Sequence, residues 1–508
     1  MIVVGAGPAG LAVASTLAEQ FRVLVVDARP PAGEAAEGAK VGRVHKSWFS
    51  PHDCLFDNPD IVHCRKPHGI RRFLIRTYSG ASHGDRSRFD LSWEPRQFDH
   101  AEPEDRYPYL DEYKLIEHWE GKLAGTTHGS RIMRGRLYQN HRTVPGGVVV
   151  RFRPTPDKNV EGGQEAGASG PAPAGQLSES YRCRLLLDAT GHASDIRKAY
   201  RDEQAHMYWW SVAGALCKHP EGDIGPPPGK DSRLAVGDYM LWQTFASTNA
   251  DPDATLREGR PVFEYEILDE RTSFCMLLYL RRGKVPMENA QAEFLRVLHE
   301  EESTAAFHNT TVSEFKFGYL PSGRKFRSFA QDRVDFIGDA GLWTTPSGWG
   351  TSFILKNYAA YCRHLTTLID QDRLDETSLR KLPSGHSKPA EFLMNSLATR
   401  FLAFATVPQL DRYIEIFRQV DPLMVEKIYT MRLAPRNCST SAASPPAPSA
   451  SAHCGQLSPT ANAPSSSPTS RASSPSSPKK PPSSTPAGHP NGASLSTPPS
   501  RHAGLNGM

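Results

Sequence analysis

The sequence predicts an α/β fold with an α+β insert and a disordered carboxyl-terminal tail. Three observations lead to this prediction. Residues 2–27 read as strand, glycine-rich turn, helix and strand; residues 208–280 read mainly as strands; and from about Asn437 the chain is rich in Ser, Pro, Ala, Gly and Thr. The 508 residues are enough for two domains or for one large domain with insertions.

The first 27 residues contain a βαβ dinucleotide-binding fingerprint. An apolar run leads into the sequence GAGPAG, a segment of small and apolar residues follows, and a second apolar run ends at Asp27. The first glycine allows a tight turn, the second lets the backbone approach a pyrophosphate, and the third lets helix and strand pack closely. We therefore expect a Rossmann-like unit in which Asp27 accepts a hydrogen bond from a ribose hydroxyl. The turn residues expected to contact the dinucleotide are Gly5, Gly7, Pro8, Ala9 and Gly10.

Charge and cysteine content exclude several classes of function. The formal net charge is +4, but residues 436–508 carry five basic and no acidic side chains, which leaves 54 basic against 55 acidic side chains elsewhere. That balance is not the electrostatic footprint of a nucleic-acid-binding protein. The eight cysteines include no CxxC pair and no zinc-ligand spacing, so we expect neither a metal site nor a dithiol–disulfide reductase.

The sequence leaves the compartment open. No apolar run approaches the ~20 residues of a transmembrane helix, and the first predicted strand begins at Ile2, so no targeting segment is expected ahead of it. Plastid and cytoplasm both fit. The basic pairs Arg65-Lys66 and Arg71-Arg72 belong either to a solvated surface or to a contact with anionic lipid, which would make the protein peripheral to a membrane.

Two later motifs extend the nucleotide site. Residues 185–197, LLLDATGHASDIR, read as an apolar strand followed by a turn and a helix start. Residues 333–357, RVDFIGDAGLWTTPSGWGTSFILKN, read as a strand that ends in GDAG and a second turn that opens a helix at about Thr351. No second GxGxxG motif is present in the sequence, so we do not expect a separate nicotinamide-binding Rossmann domain.

The order of these three motifs resembles that of the FAD-dependent monooxygenase and lycopene-cyclase superfamily, over residues 1–369. The resemblance implies that the dinucleotide is FAD and that Asp339 bonds its ribityl or ribose hydroxyls. It also implies that the helix after the last turn begins beneath the flavin ring, where a helix amino terminus stabilises negative charge. The further FAD contacts that it implies are Arg43, Thr190, Gly191, Gly338, Gly348, Gly350 and Thr351.

The predicted fold is thus a Rossmann-like FAD-binding domain interleaved with an antiparallel-sheet substrate domain. We expect residues 1–200 to form the first part of the FAD-binding domain, with a disordered insertion at 154–180. Residues 201–325 are expected to form mainly the sheet of the substrate domain. Residues 326–436 complete the FAD-binding domain and add carboxyl-terminal helices, and residues 437–508 form the disordered Ser/Pro-rich tail.

Several reactions fit this cofactor. The turn at Pro346–Gly350 is similar to that of lycopene cyclases, which favours a hydrophobic isoprenoid or carotenoid substrate. Plant-type cyclases have an acidic run upstream of the last motif, whereas residues 278–282 are Leu-Tyr-Leu-Arg-Arg, which disfavours carbocation cyclisation. Reductive de-epoxidation of a xanthophyll, as in a green-algal de-epoxidase related to lycopene cyclases, fits this departure. The alternatives are an NAD(P)H- and O2-dependent flavin monooxygenase, a cyclase that uses reduced FAD without net redox change, and a non-catalytic FAD-binding scaffold; the electron donor stays open.

The sequence gives only weak candidates for catalysis. Tyr279 and His192 are side chains that could donate a proton, and Trp349 lies in the turn assigned to the flavin. Glu264 and Glu266 share one face of a predicted strand, because strand side chains repeat every second residue. We expect that face to be solvated.

Overall fold

A computed structural model describes twelve stretches of the chain, all within the unit Met1–Ser439. The predicted tail, residues 156–177 of the predicted insertion, and Arg43, Gly348 and Trp349 lie outside the described residues. The described residues are 1–30, 47–49, 58–76, 91–155, 178–200, 208–220, 234–243, 261–322, 330–341, 343, 350–382 and 405–429.

Helices and strands alternate at the amino terminus, and strands dominate the middle of the chain. The helices in the described part are α1 (Pro8–Leu17), α2 (Pro103–Arg106), α3 (Glu112–Ala124), α4 (Asp195–Ala199), α5 (Met287–Glu300), α6 (Gly350–Asp370), α7 (Glu376–Leu379), α8 (Val407–Arg418) and α9 (Pro422–Tyr429). The strands are β1 (Ile2–Val4), β2 (Leu24–Asp27), β3 (Ser47–Phe49), β4 (Arg65–Gly69), β5 (Arg72–Arg76), β6 (Leu91–Trp93), β7 (Pro108–Asp111), β8 (Arg131–Arg134), β9 (Arg136–Val144), β10 (Gly147–Pro154), β11 (Glu179–Cys183), β12 (Leu186–Asp188), β13 (Tyr208–Lys218), β14 (Asp238–Gln243), β15 (Val262–Asp269), β16 (Thr272–Arg281), β17 (Thr311–Ser322), β18 (Ala330–Gln331) and β19 (Val334–Phe336).

A six-stranded sheet in the order β18-β19-β12-β1-β2-β8 forms the amino-terminal core. β1 lies between β12 and β2 and is parallel to both, and its three apolar side chains are buried, as an inner strand of a parallel sheet requires. One side of this sheet packs against α1, α3 and α6, and the other packs against the small antiparallel sheet β11-β10-β9. The α/β prediction with parallel and antiparallel sheets is therefore confirmed.

A seven-stranded sheet carries the strand-rich part of the sequence, in the order β17-β13-β16-β15-β14-β5-β6. Its neighbouring strands are antiparallel except for β14 and β5, which pair parallel. Side chains alternate along each strand, so the sheet has two different faces. On the first, Phe263, Tyr265 and Leu277 pack against Phe294 of α5, and we call it the α5 face.

The opposite side of this sheet, which we call the second face, is defined by Trp210, Tyr239 and Val262. A third sheet, in the order β3-β7-β4, reaches it. Tyr109 of β7 packs in one cluster with Tyr239, whereas the next residue, Leu110, packs into the core around α1 and α6. β7 therefore connects the second face to α6.

A buried carboxylate holds α6 in place. Asp60 accepts hydrogen bonds from the Tyr358 hydroxyl of α6 (2.7 Å), Nε1 of Trp119 (2.9 Å) and Nε2 of His118 (3.0 Å), the last two from α3. Burial raises the pKa of Asp60, but these three bonds and the nearby Lys122 ammonium outweigh it, so the pKa lies below its usual value. Asp60 is therefore ionised at neutral pH and fixes α6 against α3.

Candidate dinucleotide site

In the glycine-rich turn, Gly5 and Gly10 are in close contact with other parts of the chain, whereas Gly7 has space beside it that no described atom fills. Gly5 has a φ of +106°, which L side chains rarely adopt, and a Cβ there would collide with the carbonyl oxygen of Ala189. A Cβ on Gly10 would collide with the carbonyl oxygen of Gly5. By contrast, no described atom lies within 4 Å of a Cβ built on Gly7. Gly5 and Gly10 are thus required by the fold itself, whereas Gly7 leaves space for a group from outside the chain.

Helix α1 begins directly behind this open position. Its N-cap is Gly7, which supplies no side-chain cap, and Pro8 opens the helix, followed by the buried residues Ala9 and Gly10. The first turn contains no acidic side chain. Backbone N–H groups at a helix start, together with the positive end of the helix dipole, attract phosphate. This geometry suits the pyrophosphate of a dinucleotide.

Asp27 ends β2 beside the turn, and its carboxylate is already hydrogen-bonded within the chain. Oδ2 accepts from the Ala6 N–H (2.6 Å), and Oδ1 accepts from the backbone N–H and the Nε of Arg29 (both 2.8 Å). Burial raises the pKa of Asp27, but the bonds and charge of Arg29 and the Ala6 amide outweigh it, so the pKa is lowered. Asp27 therefore holds the turn to β2 as a carboxylate. A fourth bond, from Nη2 of Arg29 to Oδ2 (3.0 Å), fills the remaining lone-pair site of the carboxylate. Its bond to a ribose hydroxyl stays a prediction, in which the ribose would take the place of one of the Arg29 bonds.

The second motif lies against the glycine turn. At the end of β12, the Ala189 N–H donates to the carbonyl oxygen of Val4 (2.8 Å). Thr190 donates both its N–H (3.0 Å) and its hydroxyl (2.6 Å) to Oδ1 of Asp188. Gly191 has a φ of +78°, and no described atom lies within 4 Å of a Cβ built there. The structure thus brings Thr190 and Gly191 beside the turn and leaves Gly191 open to a ligand.

The third motif meets the same turn from beyond β12. The Ile337 N–H donates to the carbonyl oxygen of Asp188 (2.9 Å), which continues the pairing of β19 with β12. Gly338 has a φ of +61°, and a Cβ there would lie 2.8 Å from the Cβ of Ala9. Asp339 follows and is half-buried. Motifs that are far apart in the sequence are therefore contiguous in space.

A buried arginine joins the second motif to the third. Arg197 of α4 is 1% exposed; its Nε donates to the carbonyl oxygen of Ala340 (2.8 Å), and its guanidinium carbon lies 4.0 Å from the centroid of the Phe336 ring. Ser194 accepts from the Arg197 N–H and donates its hydroxyl to Asp188. The sequence pattern predicts no role for Arg197, although this residue lies within the second motif.

Asp335, in β19, is a second buried carboxyl group near this site. Its Oδ2 accepts from the Tyr361 hydroxyl (2.6 Å) and its Oδ1 from the Phe336 N–H (2.9 Å). Burial raises the pKa of Asp335 to about 7, because these bonds and the charge of Arg197 only partly offset the lost hydration. Asp335 therefore titrates near neutral pH.

We expect the stability of Asp335→Asn relative to the native protein to increase as pH rises from about 4 to about 7. The folded-state pKa lies above the usual aspartate value of 3.8, so the native state keeps a proton that the unfolded chain loses, and the stability of the native protein falls as pH rises through this interval. The loss is at most about 4 kcal/mol, at about 1.4 kcal/mol per pKa unit. Thermal unfolding of both proteins across this pH range measures it. A constant difference in Tm at every pH would contradict the prediction.

Helix α6 carries the last predicted contacts in the described chain. Gly350 and Thr351 form its first turn and are half-buried. Trp343, between Gly341 and this helix, is fully buried with its ring centroid 5.0 Å from that of Tyr361, so it belongs to the core. The α6 amino terminus is therefore presented by a well-packed helix.

His192 lies in an aromatic cluster between the second motif and the large sheet. Its ring centroid is 5.3 Å from that of Trp209 and 6.3 Å from that of Tyr319, and the Lys284 ammonium lies 4.6 Å and 4.5 Å from the same two centroids. Burial, with a smaller effect of Lys284, lowers the pKa of His192 to about 4. The ring is therefore neutral at neutral pH, so it has no imidazolium proton to donate there.

Tyr279 lies on the α5 face, in the same core cluster as Phe294. It is 7% exposed, and burial, followed by the charge of Glu293, raises the pKa of its hydroxyl. The structure therefore places this candidate among core residues, on the opposite side of the sheet from the second face. Its catalytic role stays a prediction.

The expectation that Glu264 and Glu266 face solvent is wrong. Glu266 is 4% exposed, and Glu264 is half-buried with its Oε2 accepting from the Tyr239 hydroxyl (2.9 Å). Burial raises the pKa of Glu264 to about 8, because the Tyr239 bond only partly offsets the lost hydration. The sequence carries one signal of this: Val262 and Leu268 lie on the same face as the glutamates, so the strand is apolar on both sides.

The basic residues considered for lipid contact are partly neutralised. Arg65 forms an ion pair with Asp105, and Arg72 forms one with the buried Asp238. Arg71 is exposed. Contact with anionic lipid stays a prediction.

Within the described ranges, no helix is long and apolar enough to cross a membrane.

Residues 3–58 match the family model of an NAD(P)-binding Rossmann-like domain, which contains the glycine turn and Asp27. No curated protein sequence matches the chain. Solved structures match it over most of its length at low identity, and such matches show the fold.

Three of these structures have the same overall fold. A geranylgeranyl bacteriochlorophyll reductase-like protein from Thermoplasma acidophilum is 13% identical with a TM-score of 0.58, over 85% of this chain and 94% of that one. p-Nitrophenol 4-monooxygenase from Pseudomonas putida is 16% identical with a TM-score of 0.54, over 85% and 96%. An aromatic hydroxylase from angucycline biosynthesis is 15% identical with a TM-score of 0.50, over 84% and 75%.

Proposed function

We propose that this protein is an FAD-dependent oxidoreductase that acts on a hydrophobic isoprenoid, by reductive de-epoxidation of a xanthophyll. The observation that carries the proposal is the meeting of three motifs at one glycine turn, where Gly7 and Gly191 are open to a ligand. The residues present fit FAD: the turn and α1 would hold its pyrophosphate, Asp27 a ribose, and Asp339 the ribityl chain. When bound, FAD would supply the two electrons of the reduction.

The substrate class is supported by the fold and by the second face. One protein of similar fold is named as geranylgeranyl bacteriochlorophyll reductase-like, which favours a reductive reaction on an isoprenoid. The second face offers an apolar wall, with Val212, Trp242 and Leu278 half-buried beside Trp210. A long apolar molecule would bury its surface against such a wall.

The second candidate is an NAD(P)H- and O2-dependent flavin monooxygenase. It is favoured by the likeness to p-nitrophenol 4-monooxygenase and to the aromatic hydroxylase. In this reaction a hydroxylated product would form only with oxygen and a pyridine nucleotide present. The two candidate functions use the same cofactor site and differ in the electron acceptor, which is the epoxide in the first and O2 in the second.

Purified protein is expected to be yellow, with about one FAD per chain. Under anaerobic conditions, the reduced protein is mixed with an epoxidised xanthophyll and with its epoxide-free counterpart. Reoxidation of the flavin that matches loss of the epoxide supports the proposal. Product formed only with O2 and NAD(P)H favours the monooxygenase, isomerised product without flavin oxidation favours the cyclase, and failure to bind FAD removes the cofactor assignment.

A further inference from the structure

We propose that Glu264, positioned by Tyr239, donates a proton to an oxygen atom of the substrate. The proposal rests on the proposed function and deepens it, because it names the acid that the reaction needs and the kind of substrate that the acid accepts. Its basis is the place of this side chain in the large sheet.

Glu264 lies in the interior of the sheet and within an apolar strip. β15 has β16 on one side and β14 on the other, and Glu264 is directly opposite Met276 of β16. Val262 and its partner Leu278 form the next row on the same face. Met276 and Leu278 are half-buried, as is Glu264 itself. The carboxyl group therefore interrupts an apolar wall that remains partly accessible.

This wall lies on the same side of the large sheet as α6, whose amino terminus is assigned to the flavin. Tyr107, just before β7, packs edge-on against Phe73 of the second face with ring centroids 5.2 Å apart. Leu110 of β7 shares a core cluster with Leu355 and Tyr358 of α6. Two elements that would flank a substrate, the second face and α6, are thus joined through one strand.

The hydrogen bond to Tyr239 decides which oxygen of Glu264 can act. The Tyr239 hydroxyl donates to Oε2, so Oε1 is the oxygen left to carry and transfer the proton. Because the pKa is raised to about 8, the carboxyl group is mainly protonated at neutral pH. Such a group, in a poorly hydrated site, acts as a general acid.

In the proposed step, the O–H bond at Glu264 breaks, an O–H bond forms on the epoxide oxygen, and a C–O bond of the epoxide opens. Reduced FAD would supply the two electrons, and water the second proton. The products are the alkene and water. Glu264 is left as a carboxylate, stabilised by the Tyr239 hydroxyl, and regains its proton from solvent. A neutral substrate with an oxygen acceptor is therefore preferred, since an anion would be repelled once the carboxylate forms.

Glu264→Gln tests the proposal, because it keeps the shape and removes the transferable proton. We expect reoxidation of the reduced flavin by the epoxide to slow at least about 100-fold, with FAD content and absorption spectrum unchanged. Glu270→Gln, the same change at the exposed turn of the same hairpin, is the control and keeps the native rate. A Glu264→Gln rate within threefold of native would overturn the proposal. If the native chain also fails to bind FAD or to react with the epoxide, the proposed function itself has failed.

The proton on Glu264 can also be observed without turnover. An infrared difference spectrum between the native protein and Glu264→Gln at neutral pH is expected to contain the carbonyl stretch of a protonated carboxyl group, and its absence would overturn the proposal.

Tyr239→Phe removes a bond that lowers the pKa of Glu264, so the alkaline limb of the rate profile is expected to move to higher pH. An unmoved limb would exclude Tyr239 as the positioning residue. Other titratable or charged groups on this side of the sheet in the described chain include Glu266, Glu314, Lys316 and Tyr109. Glu426 lies among the elements packed on it and accepts from the Tyr107 hydroxyl.

Discussion

Gly7→Ala is expected to fold normally and to lose most of its FAD. In the free protein a Cβ on Gly7 meets no described atom, and the φ of −80° suits alanine. The added methyl group would instead occupy the space into which the pyrophosphate fits, so we expect FAD affinity to fall at least about tenfold, or about 1.4 kcal/mol. Flavin absorbance per chain, together with thermal unfolding of the apoprotein, separates the two effects.

Two other glycines provide the controls. Gly121 is an exposed residue inside α3, and no described atom lies within 4 Å of its Cβ position. Gly121→Ala should therefore stabilise the protein by about 0.5–1 kcal/mol and leave FAD content unchanged. Gly10→Ala should fail to fold, because its Cβ collides with the Gly5 carbonyl. Full FAD content in Gly7→Ala would mean that the pyrophosphate does not approach this position.

The glycine turn could be predicted from the sequence because its requirements are local. The positive φ of Gly5 and the contact of Gly10 with the Gly5 carbonyl both arise within a single βαβ unit, and the spacing of glycines expresses that geometry directly. The contact of Gly5 with Ala189, by contrast, comes from the chain that follows β12. The parallel pairing of β1 with β2 follows from the same unit. A reader of the sequence therefore obtains the first part of the fold and the class of ligand from the first 27 residues.

The remaining features depend on contacts between distant parts of the chain. Glu264 alternates with apolar residues and reads as part of a solvated strand, yet β7 packs beside Tyr239 at one end of that face, a contact that no local pattern encodes. The contact of Arg197 with Ala340 joins two motifs that share no local sequence pattern. Burial of Trp343 likewise depends on Tyr361 of a later helix. A sequence pattern shows how polar and apolar residues alternate within one helix or strand. The burial of Glu264 and Trp343 and the contact of Arg197 depend instead on which other element packs against them.

We expect Arg197→Met to destabilise the protein by about 3 kcal/mol and to reduce its FAD content. Methionine fills much of the same volume but leaves the Ala340 carbonyl without the Arg197 Nε donor. Burial raises the pKa of Asp188 and of Asp335, and the substitution also removes the positive charge that partly offsets this rise. Because Arg197 connects the second motif to the third, its loss should loosen the relation between Gly191 and Gly338. Urea unfolding and flavin content measure the two effects.

Lys198→Met provides a matched control in the same short helix. Lys198 is exposed and pairs across the surface with Asp195, and such pairs contribute little to stability. If the two variants differ in unfolding free energy by less than about 0.5 kcal/mol, Arg197 does not connect the motifs. A large loss of stability in Arg197→Met with full FAD content would assign Arg197 to the core alone. Loss of both, with Lys198→Met unchanged, is the outcome that the hydrogen bond to Ala340 predicts, because the turn that presents Asp339 depends on it.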